Sequence, residues 1–358
     1  MLVLLGPALV MPGELEQDVI IVDHELPGAA ELAVIVRDVC ASAKDMPQPD
    51  DAAVGHAVDA SSGLSEFAAE QNVAMSLTEH GLDLSALWER KRVTIEQTRG
   101  LSVYRGGDRF DDLRSLDSAK AKLRRRISAQ TPIGTVVWID EGADVFANVE
   151  SGTADNQKMD QQRALLVEME LNNWKGAIFT GVPGSGKSAL ARAFGNEAGV
   201  PTIAVDFGAM EDKYVGESEQ NLRQAIKVIK AIGRGNAFFV LTCNSLAGIR
   251  PQFMRRFKKG VFFFDIPSAG ERAAIWQLYM KKYGLKAQPR PDDDAWTGAE
   301  IRECCEEAWD TRVTLVEAAE HIIPVAQSRF ADMDAMRRAA HGRFLDASKP
   351  GAYTYSAE

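Results

Sequence analysis

Ala177-Ile-Phe-Thr180 runs directly into Gly181-Val-Pro-Gly-Ser-Gly-Lys-Ser188, and Ala189 to Ala198 continues with helical spacing. An apolar run, a loop of pattern G-x-x-x-x-G-K-S and a helix, in that order, make a phosphate-binding unit. The glycines let successive backbone N–H groups curl around a β-phosphate, and the helix N-terminus adds a favourable dipole. Lys187 would reach the β- and γ-phosphates, and the Ser188 hydroxyl would ligate Mg2+. The stretch therefore predicts an ATP/ADP site with Mg2+, contacted by Gly181, Val182, Pro183, Gly184, Ser185, Gly186, Lys187, Ser188 and Ala189.

The rest of the chain must supply a sheet around that unit. At 358 residues there is material for at least one large core, and 46% hydrophobic with 26% charged residues is a globular composition. A net charge of −10 argues against a chain-wide nucleic-acid coat. The basic run Lys120, Lys122, Arg124, Arg125, Arg126 reads as a solvated helix face rather than a nucleic-acid patch. Cys40, Cys243, Cys304 and Cys305 form no C-x-x-C pair, which fits a reducing cytoplasm and neither a zinc ribbon nor a disulfide framework. The apolar start has no Lys or Arg before it and is interrupted by Pro7 and Pro12, so it reads as a buried strand. No run approaches the roughly 20 apolar residues of a membrane span. A cytoplasmic protein without membrane contact is expected.

One order of elements occurs twice. Leu2 to Leu5, Pro12, Val19 to Asp23, Pro27 and a helix from Glu31 to Cys40 parallel Phe238 to Leu241, Pro251, Val261 to Asp265, Pro267 and a helix from about Glu271. Two ordinary strand–loop–strand–helix units would give this, as would a degenerate first copy of the later domain. Lys44 to Gly63 reads as a loop, and Leu64 to Thr78 and Leu84 to Thr98 as helices. The expected division is a helical unit over 1–98, linker and lead-in helix over 99–132, a phosphate-loop core over 133–267, a helical lid over 268–345 and a frayed tail over 346–358, loose from Lys349.

Further segments carry a resemblance. Lys213-Tyr-Val-Gly-Glu-Ser-Glu-Gln-Asn-Leu-Arg223, the strand ending Thr242-Cys243-Asn244, Trp296-Thr-Gly-Ala-Glu-Ile301 and Phe110-Asp-Asp-Leu-Arg-Ser-Leu-Asp117 together resemble AAA+ ATPases of the classical AAA clade, over about 100–345. Residues 1–98 look like the tail of a second, degenerate AAA-like module, as in some phage and plastid or cyanobacterial members. The resemblance implies an α/β fold: a parallel-sheet P-loop core, a C-terminal helical lid and an N-terminal mainly helical remnant. It also implies roles. Asn244 matches sensor 1, Gly298 and Ala299 the lid's nucleotide contact, and Tyr214 and Val215 the pore-loop pair that grips a threaded polypeptide. Arg255 and Arg256 match the region of the arginine finger, which completes a neighbour's site. A homo-oligomer, most simply a hexamer, acting on a protein client would follow. An ATP-binding scaffold with little turnover and a DNA-remodelling motor are the alternatives.

The pattern breaks in three places. Arg114-Ser115 stands where members usually carry two glycines near the adenine, and Met254-Arg-Arg-Phe-Lys-Lys259 replaces the usual R-P-G-R-F-D. In the family a strand ending Asp-Glu precedes the sensor 1 strand, yet here the interval from Asn221 to Asn244 holds no acidic residue. Thr135-Val-Val-Trp-Ile-Asp140-Glu141 instead stands upstream of the phosphate loop, followed by Asp144-Val-Phe-Ala-Asn148, a polar loop and a helix over about 159–171. That is the missing strand moved forward. In a parallel sheet the neighbours and the shared carboxyl edge matter, not chain order. Asp140 is then expected to hold the metal and Glu141 to orient the attacking water.

Overall fold

The computed structural model describes residues 26–43, 46–142, 163–210, 217–246, 254–257 and 260–355. The strands expected at 2–5 and 19–23, the 144–148 segment, and Tyr214 and Val215 lie outside the described residues.

Four helices, α1 (Ala29–Ser42), α2 (Asp51–Ser61), α3 (Glu66–Ala74) and α4 (Leu84–Glu96), enclose a small core with the hairpin β1 (Leu77–Thr78) and β2 (Gly81–Leu82). Leu32, Val36, Val54, Val58, Leu64, Val73 and Leu87 fill it. Helix α2 overturns the loop expected over 44–63. The Asp50 carboxylate caps it by accepting from the Ala53 N–H at 2.7 Å, and its alanines favour helix. The helix expected to reach Thr78 ends at Ala74, where the chain turns into the hairpin.

Among the described residues the sheet has seven strands: β3 (Leu101–Val103), β4 (Thr135–Ile139), β5 (Lys175–Gly181), β6 (Thr202–Val205), β7 (Ala237–Cys243), β8 (Val261–Phe264) and β9 (Leu345–Asp346). Their spatial order is β3-β6-β4-β7-β5-β8-β9. Every neighbouring pair is parallel except β3 with β6. Strand β7 is buried at every position, as a central parallel strand covered on both faces must be. Alternation along β4 and β7 divides the core. Val136, Phe238 and Val240 pack with Phe179 and Phe262 beneath α5 (Asp117–Ile127) and α6 (Lys187–Ala198). Val137, Ile139, Phe239 and Leu241 pack with Leu222, Ile226 and Ile229 of α7 (Glu217–Ile232) and with Leu165 and Met169 of the helical stretch 163–171.

Beyond β8, α8 (Ala269–Lys282) and α9 (Gly298–Thr311) form a separate cluster around Trp276, Trp296, Ile301, Cys304 and Cys305. The architecture is thus a mixed α/β core with flanking helices and a helical lid, as the sequence predicts. The tail is different. Past α10 (Phe330–Ala340), β9 adds to the sheet beside β8, and Tyr353 is buried against Phe263 with ring centroids 4.4 Å apart. The expected fraying from Lys349 is therefore wrong up to residue 355. The Asp265 carboxylate anchors the segment, accepting from Arg337 Nη2 at 2.7 Å and from the Tyr353 hydroxyl at 2.5 Å. Among the described residues, no helix is long and apolar enough to cross a membrane.

Candidate nucleotide site

The carboxyl ends of β4, β5 and β7 meet at one edge, so Asp140, the phosphate loop and Asn244 face a common cleft of about 320 Å3. The loop leaves β5 at Gly181, whose φ of +133° and 2.2 Å approach of any Cβ to the Phe264 carbonyl leave room only for glycine. Gly184, at φ +77°, would set a Cβ 2.7 Å from Thr297 Oγ1 at the start of the lid helix. That closeness lets the Ala299 N–H donate to the Gly184 carbonyl at 3.2 Å, placing Gly298 and Ala299 over the loop. The Glu300 carboxylate caps the same helix by accepting from the Thr297 N–H at 2.5 Å.

Lys187 is buried, and its ammonium donates to the carbonyls of Gly181 at 2.9 Å and Val182 at 2.7 Å. Burial pulls its pKa down to about 8, opposed by the nearby Cys243 and Asp140. Ser188 Oγ donates to Asp140 Oδ1 at 3.1 Å. The Thr242 hydroxyl also donates to that oxygen. Glu141 is exposed beside the cleft at φ +50°, a sharp bend that turns it out of the strand. A hydroxyl and a carboxylate in contact are hard oxygen donors of the kind Mg2+ takes, and the glycine loop leaves the backbone bare for phosphates. The residues present fit both groups.

A family model described as "ATPase family associated with various cellular activities (AAA)" matches residues 177–235, from β5 through α7. Over that stretch the chain matches AAA ATPases. Its relatives are distant. It is 22% identical over 300 residues to the uncharacterized AAA domain-containing protein ycf46 of Guillardia theta, covering 68% of this chain and 53% of that one. It is 27% identical over 166 residues to the ATPase family gene 2 protein of Saccharomyces cerevisiae, covering 44% of this chain and 21% of that protein. Among solved structures, the FIGL-1 AAA domain aligns with a TM-score of 0.41 at 15% identity, covering 69% of this chain and 94% of that one. The chain spans about half the length of the curated relatives it matches over the longest stretches.

Other parts of the chain also line the cleft. Leu113 to Leu116 line it from the lead-in segment, with Arg114 and Ser115 among them, and Ile275, Leu278 and Tyr279 from α8. Arg192 and Arg302 also reach it, and each stands four residues, one helical turn, from a motif position, Ser188 and Gly298. That spacing is the signal the sequence carries for them. Arg255 and Arg256 do not line the cleft. Arg256 is held by Glu170 at 2.6 Å, while Arg255 is exposed. The basic run is in part the solvated face expected of it, since Arg124 and Arg125 are exposed, but most of its charges are engaged within the chain. Lys120 is buried and donates to the Leu113 carbonyl. Arg124 pairs with Glu197 at 2.7 Å and Asp111 at 2.8 Å, and Arg126 donates to the Thr131 carbonyl at 2.7 Å.

Proposed function

We propose that this chain is an ATP-hydrolysing motor of the classical AAA clade, phage or plastid type, with the carboxylate strand placed ahead of the phosphate loop. The observation that carries the reading is the contact of Ser188 with Asp140. It joins the expected hydroxyl ligand to the expected carboxylate across a sheet whose order differs from chain order. The phosphate loop and Lys187 bind the β- and γ-phosphates, Ser188 and Asp140 hold Mg2+, Glu141 orients water and Asn244 senses the γ-phosphate. Mg2+, when bound with ATP, offsets charge on the phosphate oxygens. Gly298 and Ala299 tie lid position to the loop.

The arginine pair does not line its own cleft, which suits residues that serve a neighbouring subunit. Arg255 is the better candidate, because Glu170 already engages Arg256. A trans site calls for a ring or helical homo-oligomer, most simply a hexamer. Its work would be threading or remodelling a protein client past Tyr214 and Val215. The internal engagement of Lys120, Arg124 and Arg126 weighs against the DNA-motor alternative. Turnover measured with oligomer size in ATP tests the proposal. Wild type should hydrolyse ATP as an oligomer, and Arg255→Ala should lose turnover yet regain part of it when mixed with a Lys187→Met variant. A monomer, or an ATP-bound oligomer without turnover, would instead mean a nucleotide-regulated scaffold.

A further inference from the structure

Asp140 is held from behind by an arrangement that none of the motifs contains. In the β4–β7 pairing Trp138 stands opposite Val240 and Ile139 opposite Leu241, which brings the next positions, Asp140 and Thr242, side by side. Two-residue alternation puts Trp138 and Asp140 on the same face. The Trp138 indole N–H donates to Thr242 Oγ1 at 3.1 Å. An indole can only donate, so it occupies a lone pair of the hydroxyl and leaves the hydroxyl proton to point elsewhere. That proton goes to Asp140 Oδ1, with the Ile139 carbonyl at 3.3 Å as the weaker alternative. The indole has a cationic neighbour. The Arg192 guanidinium lies over the Trp138 ring, 5.5 Å from its centroid, and is also 5.5 Å from the centroid of the Tyr104 ring.

We infer that Trp138 and Thr242 are positioning residues for the divalent cation: through one directed hydroxyl proton they fix the Asp140 carboxylate against Ser188, and Arg192 holds the indole that directs it. The inference rests on the proposed ATP and Mg2+ site and adds residues to it. With Oδ1 already accepting from Ser188 and Thr242, the carboxylate is barred from rotating, and its second oxygen keeps a set direction. Neighbours that orient a ligand in this way commonly govern metal affinity by about 10-fold or more.

The test is ADP binding to the full chain by calorimetry, once with saturating Mg2+ and once in EDTA, for wild type, Thr242→Val, Thr242→Ser and Trp138→Phe. The ratio of the two affinities isolates the cation's part. Thr242→Val should leave the EDTA affinity within about twofold and cut the Mg2+ enhancement about 10-fold. Thr242→Ser, which keeps the hydroxyl, should restore it, and Trp138→Phe should fall between. In an Asp140→Asn background Thr242→Val should cost nothing further, because its effect passes through that carboxylate. The inference is overturned if Thr242→Val keeps the wild-type ratio, or if it weakens ADP equally with and without Mg2+, as a mere packing defect would. A wild type that bound ADP with no Mg2+ enhancement would remove the metal site itself, before any variant was compared.

Discussion

Ser188, at the start of the helix that follows the phosphate loop, donates a hydrogen bond of 3.1 Å to Asp140, 48 positions earlier in the chain. Strand β4, which carries Asp140, is not beside β5 in the sheet; β7 lies between them. The chain can place β4 before β5 because a parallel sheet fixes a site by which carboxyl ends share an edge. Moving a strand in sequence while keeping its spatial neighbours leaves that edge intact.

Lys187 offers a two-sided prediction. Its ammonium is buried and held by two loop carbonyls. Lys187→Met should weaken ADP binding on the order of 10²-fold, the loss of a charge-assisted phosphate contact. It should not lower thermal stability, since it removes a buried cation. Calorimetry with ADP and a thermal melt check both halves; a collapse of the melt together with binding would assign the lysine a mainly structural part.

How much of this was legible in advance follows from where the interacting residues lie. The phosphate loop is contiguous, so strand, loop and helix could be read from residues 177–198 alone. The strand displacement proposed for β4 is legible as a gap in one interval and a surplus in another. Helix α2 is not legible because Asp, Ser and Pro suggest a loop; its Asp50 cap is local, but Ala57 and Ala60 are buried only once α1 and α4 pack against it. The ordered tail is not legible for a similar reason: Tyr353 and Asp265 are 88 positions apart, and no local pattern links them. The Trp138–Thr242 contact, 104 positions apart, needed the strand order first.

That tail makes its own prediction. Tyr353→Phe removes one donor from Asp265 and leaves the Arg337 fork in place. It should destabilise the protein by about 1 to 2 kcal/mol in chemical denaturation. Arg337→Met should cost more, since it leaves the half-buried carboxylate without its cation, held only by the Tyr353 hydroxyl and the Ile266 N–H. Equal and negligible effects would mean that β9 does not depend on this anchor.

Lys91 of α4 supplies a pH dependence. It is buried, donates to the Asp59 carbonyl at 2.6 Å and lies over the Trp88 ring. Burial lowers its pKa from the ordinary 10.5 to about 7. Between those values the unfolded chain binds the extra proton, so this group's contribution to stability rises with pH from about 7 upward and is least favourable below it. Lys91→Met removes the titration. The stability of the variant relative to wild type should therefore be greater at pH 6 than at pH 9, by on the order of 2 kcal/mol. Paired denaturation curves at the two pH values measure it, and a difference that did not change with pH would contradict it.

The most direct measurement on the proposed strand displacement is ATP turnover by wild type and by Glu141→Gln, with ADP affinity measured alongside. Glu141 stands next to the carboxylate that meets Ser188 and lines the same cleft. Turnover should fall on the order of 10²-fold or more in the variant, as a positioned carboxylate is lost, while ADP still binds as in wild type. A variant that hydrolyses ATP as fast as wild type would contradict the assignment of 135–141 as the catalytic strand.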